Sequence, residues 1–302
     1  MKLSIIIVNW NTRDLLARCL SSIQLNPPDE LYDVWVVDNA SQDDSVSMVQ
    51  EQFPTVHLIA NTANAGFARA NNQAIRACSG DYVLVLNSDT EIQPSALQHL
   101  VRILEATPQA GAAGPKMLNP DRTLQNSYGS LPSVLDELVG PYLFDLFTKP
   151  WGRIGSKWLV KQLNSDPYLR VDRVSFACTL IRRKVLEKVG LLDEQFLFYS
   201  EDYDWFRRIK KAGWWAIFCP QAEVIHYWGG SSKKNNEWAL SQLYRSKRIY
   251  FAKQGGPLSE SILRLGLTVR FAAKLAVASL PGRNSTMVHT YRRLIREMMT
   301  AR

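Results

Sequence analysis

Short apolar runs alternate with helical patterns over the first third of the chain. Four runs have the length and β-branched content of buried strands: Leu3–Val8, Asp33–Val37, Val56–Ala60 and Tyr82–Leu86. Apolar residues recur at helical spacing in the intervening segments, at residues 14–23, 43–53 and 66–78, and in a further helix from Pro94 to about Ala106. Continuous apolar strands between helices predict an α/β fold with a mostly parallel sheet covered on both faces.

The pattern changes after residue 118. Residues 119–170 are rich in Pro, Gly, Ser and aromatic residues, which predicts loops and short helices over the sheet edge. Regular patterning then returns, with elements at 171–181, at 203–212 ending at Gly213, and as two short strands at 214–219 and 223–227. From Ala239 the sequence is helical, with a break at Gly255-Gly256-Pro257. We therefore expect a body over residues 1–238 and a helical C-terminal segment over 239–302.

Charge divides the chain in the same way. The net charge is +8, but residues 239–302 hold 12 basic and 2 acidic residues, a net charge of +10, which leaves −2 for the body. A basic segment indicates an anionic partner, either lipid headgroups, a phosphorylated acceptor or nucleic acid. Nucleic acid is not expected, because no nucleic-acid-binding module is recognisable.

Cysteine spacing and hydropathy indicate a cytoplasmic protein. No C-x-x-C pair occurs, so zinc and disulfide frameworks are not supported, and buried reduced thiols are expected at Cys19, Cys78, Cys178 and Cys219. No signal peptide is recognisable, and no run of about 20 apolar residues predicts a membrane-spanning helix.

Short polar side chains follow all four predicted strands of the first third. They are Asn9 and Asn11 after Val8; Asp38, Asn39 and Ser41; Asn61 and Asn64; and Asn87, Ser88 and Asp89. Such residues also cap helices and form turns. Four sets at one sheet edge nevertheless predict a ligand site, because ligands bind beyond the carboxyl ends of parallel strands.

The kind of ligand follows from what these loops contain. The dinucleotide fingerprint and the P-loop are both missing, which argues against NAD enzymes and ATPases. Asp38 can instead accept a hydrogen bond from a base or a ribose hydroxyl. Asp89 offers a single carboxylate beside diphosphate oxygens, an arrangement that suits Mg²⁺ or Mn²⁺.

Six sequence strings resemble family 2 glycosyltransferases, most closely the rhamnosyltransferase-like group. They are SIIIVNWN, VVDNASQDDS, NAGFARANNQA, YVLVLNSDT, FACTLIRRKVLEKVGLLDEQFLFYSEDYDWFRRIKKAGW and VIHYWGGSS, and they cover about residues 3–235. The resemblance implies a GT-A fold and an inverting enzyme, with a nucleotide-sugar half over residues 1–118 and an acceptor and catalytic half over 119–238.

The resemblance also implies roles for individual residues. Nucleotide-sugar contacts are expected from Val8, Asn9, Asp38, Asn64, Gly66, Arg69, Asn71, Asn87 and Ser88. Arg69 could meet phosphate or lie on a solvated helix face. Asn87-Ser88-Asp89 occupies the D-x-D position with Asn in place of the first Asp, and the metal ligands are expected to be Asp89 and His226, since imidazole suits Mn²⁺.

Glu201 and Asp202 occupy the position of the family's general base. Asp202 is expected to take the acceptor proton while Glu201 orients the acceptor, although the reverse assignment and simple complementation of a helix dipole are both open. Two other features have functional and ordinary interpretations. The basic run Arg182–Lys184 is either an anion contact or a solvated helix start, and Gly229–Ser232 is either a closing loop or a surface turn.

Together these residues predict an inverting, metal-dependent glycosyltransferase of envelope polysaccharide assembly. The expected donor is dTDP-L-rhamnose, with a UDP-sugar next, and the expected acceptor is a glycan or a lipid-linked glycan. The basic segment 239–302 then either lies on the inner, anionic face of the membrane, packs on its own domain or forms a dimer contact. The alternatives are a non-catalytic nucleotide-sugar-binding protein and a nucleotidyltransferase, which would need a Gly-rich basic signature that residues 9–25 lack.

Overall fold

A computed structural model describes residues 2–138, 167–227, 236–280 and 285–300. Its strands are β1 (Lys2–Asn9), β2 (Leu31–Asp38), β3 (His57–Ala60), β4 (Tyr82–Asn87), β5 (Thr90–Ile92), β6 (Ala110–Leu118), β7 (Tyr128–Gly129), β8 (Leu169–Val171), β9 (Arg173–Val174), β10 (Cys178–Arg182) and β11 (Trp215–His226). Its helices are α1 (Arg13–Leu25), α2 (Ser45–Gln52), α3 (Phe67–Ala77), α4 (Ala96–Ala106), α5 (Arg183–Val189), α6 (Glu201–Lys211), α7 (Asn236–Ala278) and α8 (Ser285–Met299).

Nine of the described strands form one sheet, in the order β3-β2-β1-β4-β10-β6-β11-β5, with β8 paired to β11. Strands β3, β2, β1 and β4 are parallel, and so are β6 and β11. Strand β10 runs antiparallel between β4 and β6 and thereby joins the two parallel groups. The predicted α/β fold with a mostly parallel sheet and a helical C-terminal segment is confirmed.

The central strands are apolar throughout because both faces of the sheet are covered. In β1, Ile5 and Ile7 pack into one hydrophobic cluster and Ile6 packs into the cluster on the opposite face, and all three are fully buried. The alternation of side chains along a strand requires this division. The four cysteines are also buried free thiols, as expected.

The observed elements differ from the prediction at three places. Helix α4 begins at Ala96 rather than Pro94, because Ser95 adopts a left-handed backbone with φ 61°. The two short strands predicted at 214–219 and 223–227 are a single strand, β11, whose register against β6 shifts between Cys219 and Glu223. Strand β6 was not predicted, because its sequence AGAAGPKML lacks the bulky residues that indicate a strand.

Contacts divide the described chain into two compact units. The first consists of residues 2–131, 167–197 and 201–227, and contains the sheet. The second consists of residues 132–138, 198–200, 236–280 and 285–300. Helix α7 of the second unit has non-helical backbone at Gly255 and Gly256, so the predicted break is confirmed. Among the described helices, none is long and apolar enough to cross a membrane.

Candidate functional site

A hydrogen-bond network joins the carboxyl ends of β1, β2 and β4. The buried Asn9 side chain donates to Asp38 Oδ2 at 2.9 Å and to Ser41 Oγ at 3.2 Å. Thr12 donates to Asn9 Oδ1 at 2.7 Å and lies 2.9 Å from Ser88 Oγ. The strand-end residues predicted from the sequence therefore meet at one edge of the sheet. Thr12, which joins two of the strand ends, was not singled out in the sequence.

The network continues to the end of β3 and the start of α3 through Asn39. Its Nδ2 donates to Gly66 O at 3.3 Å, and its Oδ1 accepts from Asn61 at 3.0 Å. Gly66 has φ 81°, and an added Cβ would lie 2.6 Å from Leu197 Cδ1 and 2.9 Å from Leu197 O. Phe67 N donates to that same carbonyl at 3.1 Å, so only glycine fits between α3 and the segment that leads to α6.

Other predicted nucleotide-sugar contacts have internal partners in this structure. Asn64 Oδ1 accepts from Gly66 N at 2.9 Å, and buried Asn71 donates to Phe67 O at 2.9 Å. Arg69 forms an ion pair with Glu194 at 3.0 Å, and Arg76 contacts the same carboxylate at 3.1 Å. Both Arg69 and Arg76 are more than half exposed. The predicted phosphate contact of Arg69 would require it to leave this pair.

The carboxyl ends of β1 and β4 bring three predicted nucleotide-sugar contacts side by side: Val8, Asn87 and Ser88. Val8 pairs with Asn87 in the β1–β4 register, and Ser88 follows the end of β4. The backbone carbonyl of Asn87 accepts from Thr90 Oγ1 at 2.7 Å, which fixes the tight turn between β4 and β5. This turn presents Asp89, the residue predicted to bind metal.

Asp89 and His226 face each other across the β5–β11 pair. Asp89 Oδ1 lies 3.2 Å from His226 Nε2, and each side chain is about 12% exposed. Thr90 pairs with His226 in the strand register, and Tyr227 N donates to Asp89 O at 2.8 Å. The two predicted metal ligands are therefore brought together by backbone pairing, although they lie far apart in the sequence.

Gln125 orients the His226 ring. Its Nε2 donates to His226 O at 2.6 Å and to Asn119 Oδ1 at 2.7 Å, so its Oε1 must be the atom that lies 3.0 Å from His226 Nδ1. An amide oxygen accepts only, and Nδ1 therefore carries the proton. The other ring nitrogen, Nε2, points toward the Asp89 carboxylate. Gln125 was not predicted, because nothing in its local sequence marks it.

The Asp89 carboxylate and the His226 imidazole fit a divalent cation as ligands. Two neighbouring ligands of an octahedral ion, each about 2.1 Å from it, lie about 3.0 Å apart, close to the separation of Asp89 and His226. A histidine whose other nitrogen donates to an amide oxygen is typical of metal ligands. Within the described ranges, no three His, Cys, Asp or Glu side chains cluster to hold a metal by themselves. Two protein ligands supplemented by phosphate oxygens and water are the usual arrangement for such ions.

The second acidic group lies at the start of α6, where Glu201 and Asp202 are adjacent. Glu201 is 8% exposed, and burial, with the neighbouring Asp202 charge, raises the pKa of Glu201 to about 8. Burial also raises the pKa of Asp202, opposed by the Arg173 guanidinium and by Tyr203 N, which donates to Asp202 Oδ1 at 2.8 Å. Burial therefore favours the protonated form of both carboxyl groups, and the charge of Asp202 adds to this effect at Glu201.

Two observations mark this acidic pair as more than a helix cap. Tyr199 and Ser200, which precede α6, have φ 69° and 66°, a conformation that non-glycine residues rarely adopt and that concentrates at functional sites. In the part of the chain that the structure describes, no group donates to the buried Glu201 Oε2. A buried polar atom without a partner requires an explanation, and a catalytic role is one.

The basic run after β10 has a role that neither sequence interpretation anticipated. Arg182 is buried and donates to Ala110 O at 2.9 Å, to Tyr82 Oη at 2.8 Å and to Leu104 O. Arg183 donates to Gly80 O and to Cys78 Sγ. Both guanidinium groups bind the protein itself, so they stabilise the sheet rather than contact an anion. The predicted closing loop, 229–232, lies outside the described residues.

The sequence matches the glycosyl transferase family 2 over residues 4–190, and the chain belongs to this family. A relative from Mycobacterium tuberculosis, an N-acetylglucosaminyl-diphospho-decaprenol L-rhamnosyltransferase, is 28% identical over 83% of this chain and 84% of its own. The hexosyltransferase Agl10 of low-salt glycan biosynthesis in Haloferax volcanii is 27% identical over 88% of this chain and 80% of its own.

Solved structures support the same fold. A mannosyltransferase from Pyrobaculum calidifontis in complex with GDP-Man and Mn²⁺ aligns over 98% of this chain and 83% of its own, with a TM-score of 0.57 and 19% identity. GalNAc-T7 with UDP, GalNAc and Mn²⁺ aligns over 99% of this chain and 56% of its own, with a TM-score of 0.60 and 15% identity. The fold of this glycosyltransferase is of the GT-A type, as the sequence strings implied.

Proposed function

We propose that the protein is an inverting, divalent-metal-dependent hexosyltransferase that acts on a glycan or a lipid-linked glycan. The observation that carries the proposal is the acidic pair at the start of α6, in which burial raises the pKa of both Glu201 and Asp202 while Arg173 stabilises the Asp202 carboxylate. The proposed donor is dTDP-L-rhamnose, with a UDP-sugar as the second candidate. The names of the rhamnosyltransferase and hexosyltransferase relatives support a hexose donor.

In the proposed reaction the Asp202 carboxylate removes the proton from the acceptor hydroxyl. The hydroxyl oxygen forms a bond to the anomeric carbon as the bond from that carbon to the diphosphate breaks on the opposite face. The nucleoside diphosphate leaves, and one displacement inverts the configuration. A raised pKa makes Asp202 a stronger base. Protonated Glu201 can donate a hydrogen bond to the acceptor and so orient it.

On the donor side, the network around Asn9 and Asp38 would receive the nucleotide. Asp89 and His226 would hold Mg²⁺ or Mn²⁺, which neutralises charge on the departing diphosphate. Gln125 keeps the His226 ring in one orientation. We further propose that residues 1–118 form the nucleotide-sugar half, 119–238 the acceptor half, and 239–302 a separate basic segment at the inner membrane face.

The base assignment can be tested with Asp202→Asn. This change should lower kcat about 10²- to 10⁴-fold and leave donor binding nearly unchanged, because it removes the proton acceptor but keeps the side-chain shape. Transfer would be measured by release of nucleoside diphosphate from dTDP-L-rhamnose or UDP-sugars, and binding by calorimetry. Asp172→Asn is the matched control, since Asp172 pairs with Lys210 at the surface.

The outcomes of this experiment separate the alternatives. Full activity of Asp202→Asn together with an inactive Glu201→Gln variant would reverse the two roles. A wild-type protein that binds donor and transfers nothing to any acceptor would indicate the non-catalytic binding protein.

A further inference from the structure

The second half of α7 carries a continuous exposed apolar face. Its large side chains are between 46% and 73% exposed and recur every three or four residues up to Val269. We call this face the apolar stripe, and it consists of Leu258, Ile262, Leu265, Val269, Val277 and Leu280, the last just after the helix. Exposed alanines fill the gap between Val269 and Val277. A contiguous exposed apolar surface of this kind indicates an interaction site.

The opposite face of the same helix is fixed within its own unit. Leu263, Leu267 and Phe271 are fully buried, and Phe271 stacks on the Tyr291 ring of α8 at 6.3 Å between centroids. Arg264 donates to Met298 O at 2.8 Å. The helix therefore cannot rotate to bury the apolar stripe without losing its packing against α8.

Charge around the stripe favours an anionic partner. No acidic residue occurs between Ser261 and Leu280. The two acids of residues 239–302 have basic partners, Glu260 with Arg248 at 2.8 Å and Glu297 with Arg293 at 3.5 Å. The remaining positive charge of this segment therefore stays uncompensated by its own acids. On α8, Arg292 and Arg296 are exposed.

We propose that the apolar stripe inserts into the interface of an anionic lipid bilayer, with α7 lying parallel to the membrane surface. A helix with one apolar face, one fixed face and an excess of basic residues is the arrangement that binds such interfaces. The proposal rests on the proposed function, in which a lipid-linked glycan is one of the proposed acceptors. Beyond the proposed function, this proposal identifies the apolar stripe of α7 as the surface that binds the membrane.

The test uses the full chain and flotation with vesicles of phosphatidylcholine, alone or mixed with phosphatidylglycerol. Wild-type protein should float with the mixed vesicles, and added salt should weaken binding because surface charges are screened. Leu265→Gln with Val269→Gln should lower the partition coefficient about tenfold, because two apolar side chains are removed from the interface. The matched control is Leu25→Gln with Leu31→Gln, two leucines of the first unit that are each 79% exposed, which should bind like wild type.

Three results would overturn the proposal. Wild-type protein could fail to float with either vesicle, or the stripe variant could bind as well as the control variant. The stripe variant could also convert a dimer to a monomer in sedimentation without changing flotation, which would identify a second copy of the chain as the partner. Transfer of sugar to a water-soluble acceptor, measured in the same samples, tests the proposed function separately from membrane binding.

Discussion

At the carboxyl ends of the central strands, single side chains hold neighbouring polar groups in position. Asn9 is fully buried, and its amide connects Asp38 at the end of β2 with Thr12, which in turn contacts Ser88 after β4. A buried amide whose donors and acceptor are satisfied is rigid, because any rotation would leave a polar group without a partner. The proposed donor site is therefore preorganised by side chains that need not touch the sugar.

The Gln125–His226 contact gives a prediction about metal affinity. Gln125→Leu should weaken Mn²⁺ binding about 10- to 100-fold, because the ring loses the acceptor that fixes its Nδ1 proton. Gln125→Glu should retain most of the affinity, because a carboxylate accepts the same proton. Calorimetry of Mn²⁺ binding with a nucleoside diphosphate present would measure both. Equal losses in the two variants would show that Gln125 matters only through its bonds to Asn119 and His226 O.

Burial of Glu201 predicts how stability depends on pH. Its folded-state pKa of about 8 lies above the unfolded value near 4.3, so the folded state keeps a proton that the unfolded state releases. The free energy of unfolding should therefore fall as pH rises between these two values. Glu201→Gln should remove that part of the slope and exceed wild type by about 1–3 kcal/mol near pH 9.

Urea unfolding of both proteins across this pH range would measure the effect. The neighbouring charge that acts on Glu201 is that of Asp202 on the same helix, and Arg173 in turn stabilises the Asp202 carboxylate. Parallel pH profiles for the two proteins would mean that Glu201 is ionised in the folded state.

At the scale of elements, sequence patterns were most reliable where burial was complete. The strands β1, β2 and β4 were predicted to within two residues at either end, because their apolar runs have no other explanation. Strand β6 was missed because close packing there requires small residues: a Cβ at Gly114 would lie 2.6 Å from Val174 Cβ. Small residues give no strand signal by themselves.

Only part of the candidate site could be predicted from the sequence. Strand ends marked Asp38 and Asp89, because a polar residue after an apolar run is visible in one sequence. Gln125 and Thr12 were not predictable, since their roles depend on pairing between distant segments. For the apolar stripe, the sequence predicted only an amphipathic helix. Which face of that helix is exposed could be determined only from the packing of α7 on α8.

The start of α3 gives a prediction at the element scale. Gly66→Ala should lower the free energy of unfolding by about 1–3 kcal/mol, because φ 81° is unfavourable for alanine and the new Cβ would collide with Leu197. Gly213→Ala is the matched control, since its φ is 87° but an added Cβ has no neighbour within 4 Å. Urea unfolding should show a larger loss for Gly66→Ala, and equal losses would mean that Leu197 moves aside.

At the scale of the whole molecule, charge and fold divide the chain similarly. The described sheet and its helices belong to a body whose net charge over residues 1–238 is −2, whereas residues 239–302 carry +10. The predicted donor-site residues and the basic segment therefore lie in different parts of one chain. The two proposed tasks, transfer of sugar and attachment to a membrane, would then change independently under mutation.

The position of the Asp89–His226 pair also bears on how the enzyme would respond to heat. Strand β5 has three residues and forms the last strand of the sheet, and its pairing with β11 holds Asp89 opposite His226. Short edge strands open before the centre of a sheet does. Warming would therefore separate the proposed metal ligands while β1, β2 and β4 remain folded. Activity would then disappear at a lower temperature than secondary structure. Bound metal would reduce the difference between these two temperatures.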